Sequence, residues 1–161
     1  MVYMRLFILT IAIFMMNSVA SIAAETHMVD GYWVSEKQDI VVKLSECDEG
    51  LCGFVSWLKD PADFDVENPD EALRDRPVCN LKVLGMFDHY DSKKKTWQGG
   101  NLYKFNEGSY YGANVSIQGE NTLHLRGYVG LPALGRTVVF TRVTQSDYPV
   151  CHEAQKFANK S

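Results

Sequence analysis

The strongest constraint in this chain is a series of eight short runs with strand character, set apart by turn residues at short, even spacing. They cover residues 31–35, 39–46, 51–58, 81–87, 96–103, 109–117, 122–129 and 136–143. Within the second run Val41, Lys43 and Ser45 alternate against Ile40, Val42 and Leu44, the period of a strand with one buried face. The breaks between runs, such as Asp48-Glu49-Gly50, Asn106-Glu107-Gly108 and Gln118-Gly119-Glu120-Asn121, hold the residues that tight turns need. The 12 Gly, 8 Tyr and 8 Phe of the chain fit the same pattern, and helical periodicity is scarce. Eight such runs fit an up-and-down antiparallel barrel or a sandwich. The expectation is all-β: a small eight-stranded antiparallel barrel of one domain, with a core over about residues 30–143. A long loop at 59–78 interrupts the series with Pro61, Pro69 and Pro77 and a crowd of charges. Asn68-Pro69-Asp70-Glu71 opens at most a short helix there. In the tail, 144–161, Val150, Ala154, Phe157 and Ala158 fall at helical spacing and predict a short C-terminal helix.

Ahead of the strands lies a leader. One basic residue, Arg5, precedes an apolar run from Leu6 to Met16, and the small residues Ser21-Ile22-Ala23 follow. These are the three parts of a secretory signal peptide, predicted over residues 1–23. The run is too short for a membrane span, so no transmembrane segment is expected in the remaining residues, 24–161. The expected location is therefore exported, periplasmic or extracellular. Losing Arg5 moves the formal charge from -4 to -5, which disfavours a nucleic-acid partner. All four cysteines, Cys47, Cys52, Cys79 and Cys151, lie in the exported part and allow three pairings. We expect Cys47–Cys52 across a hairpin tip and Cys79–Cys151 tying the end of the long loop to the tail.

Two sets of residues carry a resemblance. Gly31-Tyr32-Trp33 in the first strand, with Arg142 at the end of the last, resembles the lipocalin-like arrangement in which an Arg lies across the indole and closes one end of the barrel. The longer series is Cys47, Leu51-Cys52-Gly53, Trp57-Leu58, Asn68-Pro69-Asp70, Leu73-Arg74, Arg76-Pro77, Cys79, Trp97, Gly100, Tyr103, Gly127-Tyr128, Gly130, Leu134-Gly135-Arg136 and Thr141-Arg142. It resembles the exported bacterial domain-of-unknown-function family numbered twenty-one forty-seven. That resemblance implies a small lipocalin-like β-barrel and brings no established activity. Two positions depart from the family pattern: Asn80 stands where Gly is expected, and Lys104-Phe105-Asn106-Glu107 replaces an Asp-Pro-x-Asp-Gly turn.

No G-x-S-x-G elbow, H-E-x-x-H helix, P-loop or C-x-x-C is present, and His27, His89, His124 and His152 are scattered singly. No catalytic residues, metal or cofactor are therefore expected. In Leu123-His124-Leu125-Arg126 the alternation places His124 and Arg126 on one face, either the polar outer one or the lumen. The loop also has two readings. Its Arg side chains fork onto carbonyls and carboxylates and hold it on the barrel, or Arg74 and Arg76, with Asn68 and Asp65, line one barrel mouth and hold an anionic or polar ligand. Trp57, Trp97, Tyr103 and Tyr128, with Arg136, are candidates for an aromatic-lined interior that is either filled or open to one ligand. Gly99 and Gly100 inside a strand permit a bulge or a close approach. The expected function is binding of a small, partly apolar ligand or envelope component. The alternative is a protein-interaction module that docks through the loop or barrel surface onto an envelope or host protein.

Overall fold

The computed structural model describes residues 28–60, 64–149 and 151. The leader and the C-terminal helix expected from sequence lie outside the described residues. Among the described residues there are nine strands: β1 (Gly31–Ser35), β2 (Ile40–Cys47), β3 (Gly50–Leu58), β4 (Lys82–Gly85), β5 (His89–Asp91), β6 (Thr96–Lys104), β7 (Ser109–Gln118), β8 (Thr122–Tyr128) and β9 (Arg136–Val143). All pair antiparallel in the order β4-β3-β2-β1-β9-β8-β7-β6-β5, and a further β4–β6 pairing closes eight of them into a barrel. Four short 3-10 turns accompany the strands among the described residues.

The ninth strand arises because one wall position is split in two. β4 meets the far half of β6 through Leu84–Leu102 and Gly85–Asn101, while β5 meets the near half through His89–Gln98 and Asp91–Thr96. Sequence alternation predicts one strand through Phe87 and a turn at 88–92. Instead Met86 takes φ 60, a left-handed conformation that ends the pleat, and pairing resumes at His89. β6 answers with a register shift between Trp97 and Gly100.

The alternation of β2, β8 and β9 fills the interior. Trp33, Val42, Leu44, Leu84, Leu123, Leu125 and Phe140 surround a residual space of about 10 Å³, scarcely room for one water. Burying side chains of this size contributes ~1.5–3 kcal/mol each, so the packed end of the barrel carries much of the stability. That end is closed by Arg142, whose guanidinium carbon stands 4.1 Å from the centre of the Trp33 ring. Arg142 donates to the carbonyls of Glu120 (3.0 Å), Asp30 (2.6 Å) and Met28, and the indole N–H of Trp33 donates to Val29 at 2.9 Å.

The long loop folds back on itself through a bridge between Phe64 and Pro77, with the Asp65 amide donating to the Arg76 carbonyl. A 3-10 turn, Glu71–Leu73, is capped by Asp70. Gly108, at φ 58 after the 3-10 turn Phe105–Glu107, seats the loop: a Cβ there would overlap the carbonyl oxygen of Glu67. Cys47 and Cys52 are bridged across the β2–β3 hairpin. The second expected bridge, Cys79–Cys151, is not formed. Both are free thiols, with Cys151 buried in the core and Cys79 packed against it, where each acts as a small apolar side chain.

Candidate functional site

The outer face of β4 and β6 meets the long loop at a buried polar network. Tyr103 projects from β6 on the face opposite Leu102, and its hydroxyl donates to Asp65 Oδ1 at 2.7 Å. Asn68 Nδ2 donates to Asp65 Oδ2 at 2.7 Å and to the Tyr103 hydroxyl at 3.0 Å. Arg76 completes the set, with Nε 2.8 Å and Nη2 2.7 Å from Asp65 Oδ2. Asp65, Asn68 and Tyr103 are buried, at 0%, 4% and 3% exposure, and Arg76 is one-third exposed. A buried carboxylate is tolerated because each of its oxygens accepts a hydrogen bond and Arg76 balances its charge.

Charge and burial fix the protonation of this network. Burial acts to raise the Asp65 pKa, but hydrogen bonds from Tyr103, Asn68 and Arg76, with the Arg76 charge, outweigh it and hold it below the usual carboxylate range. The Tyr103 phenol is pushed up to about 12 by burial and by its bond to Asp65, with Arg76 opposing. Asp65 is thus an anion and Tyr103 a protonated donor at neutral pH. The pair supplies no proton-transfer group, and its geometry is that of an anchor between loop and barrel.

Beside the anchor runs a groove of about 320 Å³. It is lined by Arg76, Tyr103 and Tyr110, by Leu81 to Met86 along β4, and by Glu49 and Asn101. Tyr110 is 65% exposed and its ring lies 4.7 Å from that of Tyr103. Lys82 pairs with Glu49 at 2.6 Å, and this bond, with the Lys82 charge, lowers the Glu49 pKa. Glu49 also accepts from the Met86 amide at 3.2 Å, which helps hold the left-handed Met86 in place. Both cations of the groove already have carboxylates, so it is close to neutral with an aromatic wall.

Of the residues singled out by sequence, the structure brings Arg76, Asn68, Asp65 and Tyr103 together. Arg74 donates from Nε to the Asn68 carbonyl at 2.8 Å and lies 3.6 Å from Glu71. The remaining candidates are elsewhere. Trp57 packs edge-on against Tyr148 at 4.9 Å, and Trp97 is a core residue against Tyr90 at 4.5 Å. Tyr128 covers Gly112, and Arg136 is exposed at the start of β9. These four do not share a lumen site, because the interior near Trp33 is packed and three of their side chains serve separate surfaces. His124 is opposite Ser116 and Val139, between the buried Leu123 and Leu125, so it shares the outer face with Arg126. Tyr110, Met86, Lys82 and Glu49 join Arg76 and Tyr103 through the pairing of β3, β4, β6 and β7, and no spacing along the chain marks them as a set. Among the described residues no three His, Cys, Asp or Glu side chains are grouped to hold a metal, and no helix is long and apolar enough to cross a membrane.

Comparison with solved structures gives the same fold. Protein HP1028 from the human pathogen Helicobacter pylori, described as belonging to the lipocalin family, superposes with a TM-score of 0.64 at 19% identity, over 74% of this chain and 85% of that one. No curated protein sequence matches. Residues 31–142 match the family described as an uncharacterized protein conserved in bacteria (DUF2147), and their first and last elements are the strands that carry Trp33 and Arg142; the chain belongs to that family.

Proposed function

We propose that the chain is an exported, non-enzymatic β-barrel that binds a small, partly apolar ligand or envelope component in the groove beside Tyr103. The observation that carries this is a cavity of about 320 Å³ with a half-exposed aromatic wall and a few fixed polar groups. That combination and size suit small-molecule sites. The interior around Trp33 has only about 10 Å³ of free space, which favours a site away from that end of the barrel. A neutral ligand with a flat apolar part against Tyr110 and hydrogen-bonding groups toward Asn101 and the free edge of Arg76 fits the lining. Export is supported by the Cys47–Cys52 bridge and the leader sequence.

Native mass spectrometry of protein purified from its own envelope fraction tests the reading. The wild type is expected to retain a small molecule that Tyr110→Ala loses. A wild type with no adduct, or an adduct unaffected by the substitution, overturns it.

One observation favours a second reading, the docking of a partner protein. In the β8–β9 connection Val129, Leu131 and Leu134 are 74%, 67% and 79% exposed. Arg126 stiffens that connection by donating to the carbonyls of Pro132 (2.6 Å) and Ala133 (2.9 Å). Capture of an envelope protein by the wild type, lost in a Leu131→Ser/Leu134→Ser variant, supports this reading over the first.

A further inference from the structure

The groove does not account for Gly99 and Gly100. A Cβ on Gly100 would fall 2.5 Å from the Phe87 ring, and one on Gly99 would overlap the Asp88 carboxylate. Gly99 sits at φ 73, within the register shift of β6. β6 therefore gives up two side chains and its regular pairing to seat Phe87 and Asp88, the two residues that follow the break at Met86. The Asp88 carboxylate, on an exposed residue, therefore packs over the Gly99 backbone.

Phe87 and Asp88 line a second cavity, of about 370 Å³, between the β2–β3 hairpin tip and β5. The wall is open there because β5 pairs with β6 alone among the described strands. Phe87, Tyr90 and Trp97 supply aromatic surface, with the Tyr90 and Trp97 rings 4.5 Å apart. Glu46 and Asp88 supply carboxylates, and neither makes an ion pair among the described residues. The one basic side chain in the lining is His89.

We propose that this cavity binds an organic ammonium ligand, a small amine or polyamine. Aromatic faces attract a weakly hydrated cation through the ring quadrupole, and a carboxylate beside them completes its charge. A hydrated divalent metal fits less well, since it needs several oxygen ligands and gains nothing from the rings. The net negative charge of the chain raises the local concentration of cations of either kind, so selectivity comes from the aromatic lining. The site is separate from the groove beside Tyr103, and the two proposals stand or fall independently.

Calorimetric titration of the full exported chain with spermidine at physiological ionic strength tests the inference. Saturable one-to-one binding is expected, accompanied by a change in tryptophan emission from Trp97. Asp88→Asn and Glu46→Gln are each expected to weaken it about tenfold, the scale of one charged contact. Tyr110→Ala, in the other site, is expected to leave it unchanged. Glu46 is exposed, so Glu46→Gln still decides the question if Asp88→Asn does not fold. No saturable binding, equal displacement of spermidine by magnesium at matched ionic strength, or wild-type affinity in both carboxylate variants overturns the proposal.

Discussion

Tyr103, on a barrel strand, donates its phenolic hydrogen to Asp65, on the long loop, across 2.7 Å in a setting where neither side chain meets solvent appreciably. This bond joins two parts of the chain 38 residues apart and fixes one side of the groove. Removing the hydroxyl with Tyr103→Phe deprives Asp65 of one donor and Asn68 of one acceptor. A hydrogen bond to a charged group is worth about 1.5–3 kcal/mol. Urea unfolding is expected to show a loss of that size, and Asp65→Ala a loss of about 3 kcal/mol, moderated because Arg76 then regains water at its exposed edge. Wild-type stability in both variants would show that the loop is not anchored here.

The same network predicts how stability responds to pH. The native Asp65 pKa is lowered, so its contribution is fully present above the unfolded carboxylate value of about 3.9 and is lost as pH falls through the lower native value. The native Tyr103 pKa is raised, so its contribution is fully present below about 10 and is lost as pH rises through about 12. Absorbance titration at 295 nm is expected to show a tyrosine ionising at about 12 that is absent in Tyr103→Phe. A titration finished by about pH 11 in the wild type would contradict the burial of this phenol.

Gly108 and the Glu67 carbonyl form the second contact between loop and barrel. A side chain at position 108 meets two penalties: φ is 58, and the Cβ would overlap that oxygen. Gly108→Ala is expected to destabilise by at least about 1–2 kcal/mol. Because the loss falls on the loop, trypsin is expected to cut after Arg74 faster than in the wild type while the strands persist by circular dichroism. Unchanged cleavage would mean that the loop has another seat.

Much of the barrel is legible in the sequence because alternation reports burial directly: Val42 and Leu44, or Leu123 and Leu125, go inside with their polar neighbours outside. The two departures from the family pattern also become intelligible. Asn80 sits at φ 62, where Gly costs least and Asn is among the better tolerated replacements, and Lys104 to Glu107 still deliver Gly108 at φ 58. The break at Met86 is not legible, since a methionine at φ 60 is held by Glu49 from another hairpin rather than by its own propensity. The site is legible only in part for a related reason. Tyr103, Arg76 and Asn68 stand out as aromatic, fork and cap residues, whereas Lys82, Glu49 and Tyr110 join them through pairing that spacing along the chain does not encode. Trp57 misleads because an aromatic on a strand looks the same whether it faces a ligand or packs against a neighbour such as Tyr148.

Cys79 and Cys151 give the last prediction. Both pack on one apolar cluster without a bond between them, Cys151 at 1% exposure and Cys79 half-buried. Burial pushes the Cys79 thiol up, so less of it is thiolate at neutral pH than for an ordinary cysteine. Access limits Cys151 in the same direction. In guanidinium without reductant, a disulfide reagent is expected to count two thiols, with Cys47 and Cys52 remaining bridged. In native buffer both are expected to react at least about tenfold more slowly than in denaturant, since the thiolate is the attacking species and must also reach the reagent. Two thiols that react at the denatured rate in native buffer would place them at the surface. No thiols in guanidinium would instead show Cys79 joined to Cys151, with the tail tied covalently to the start of β4.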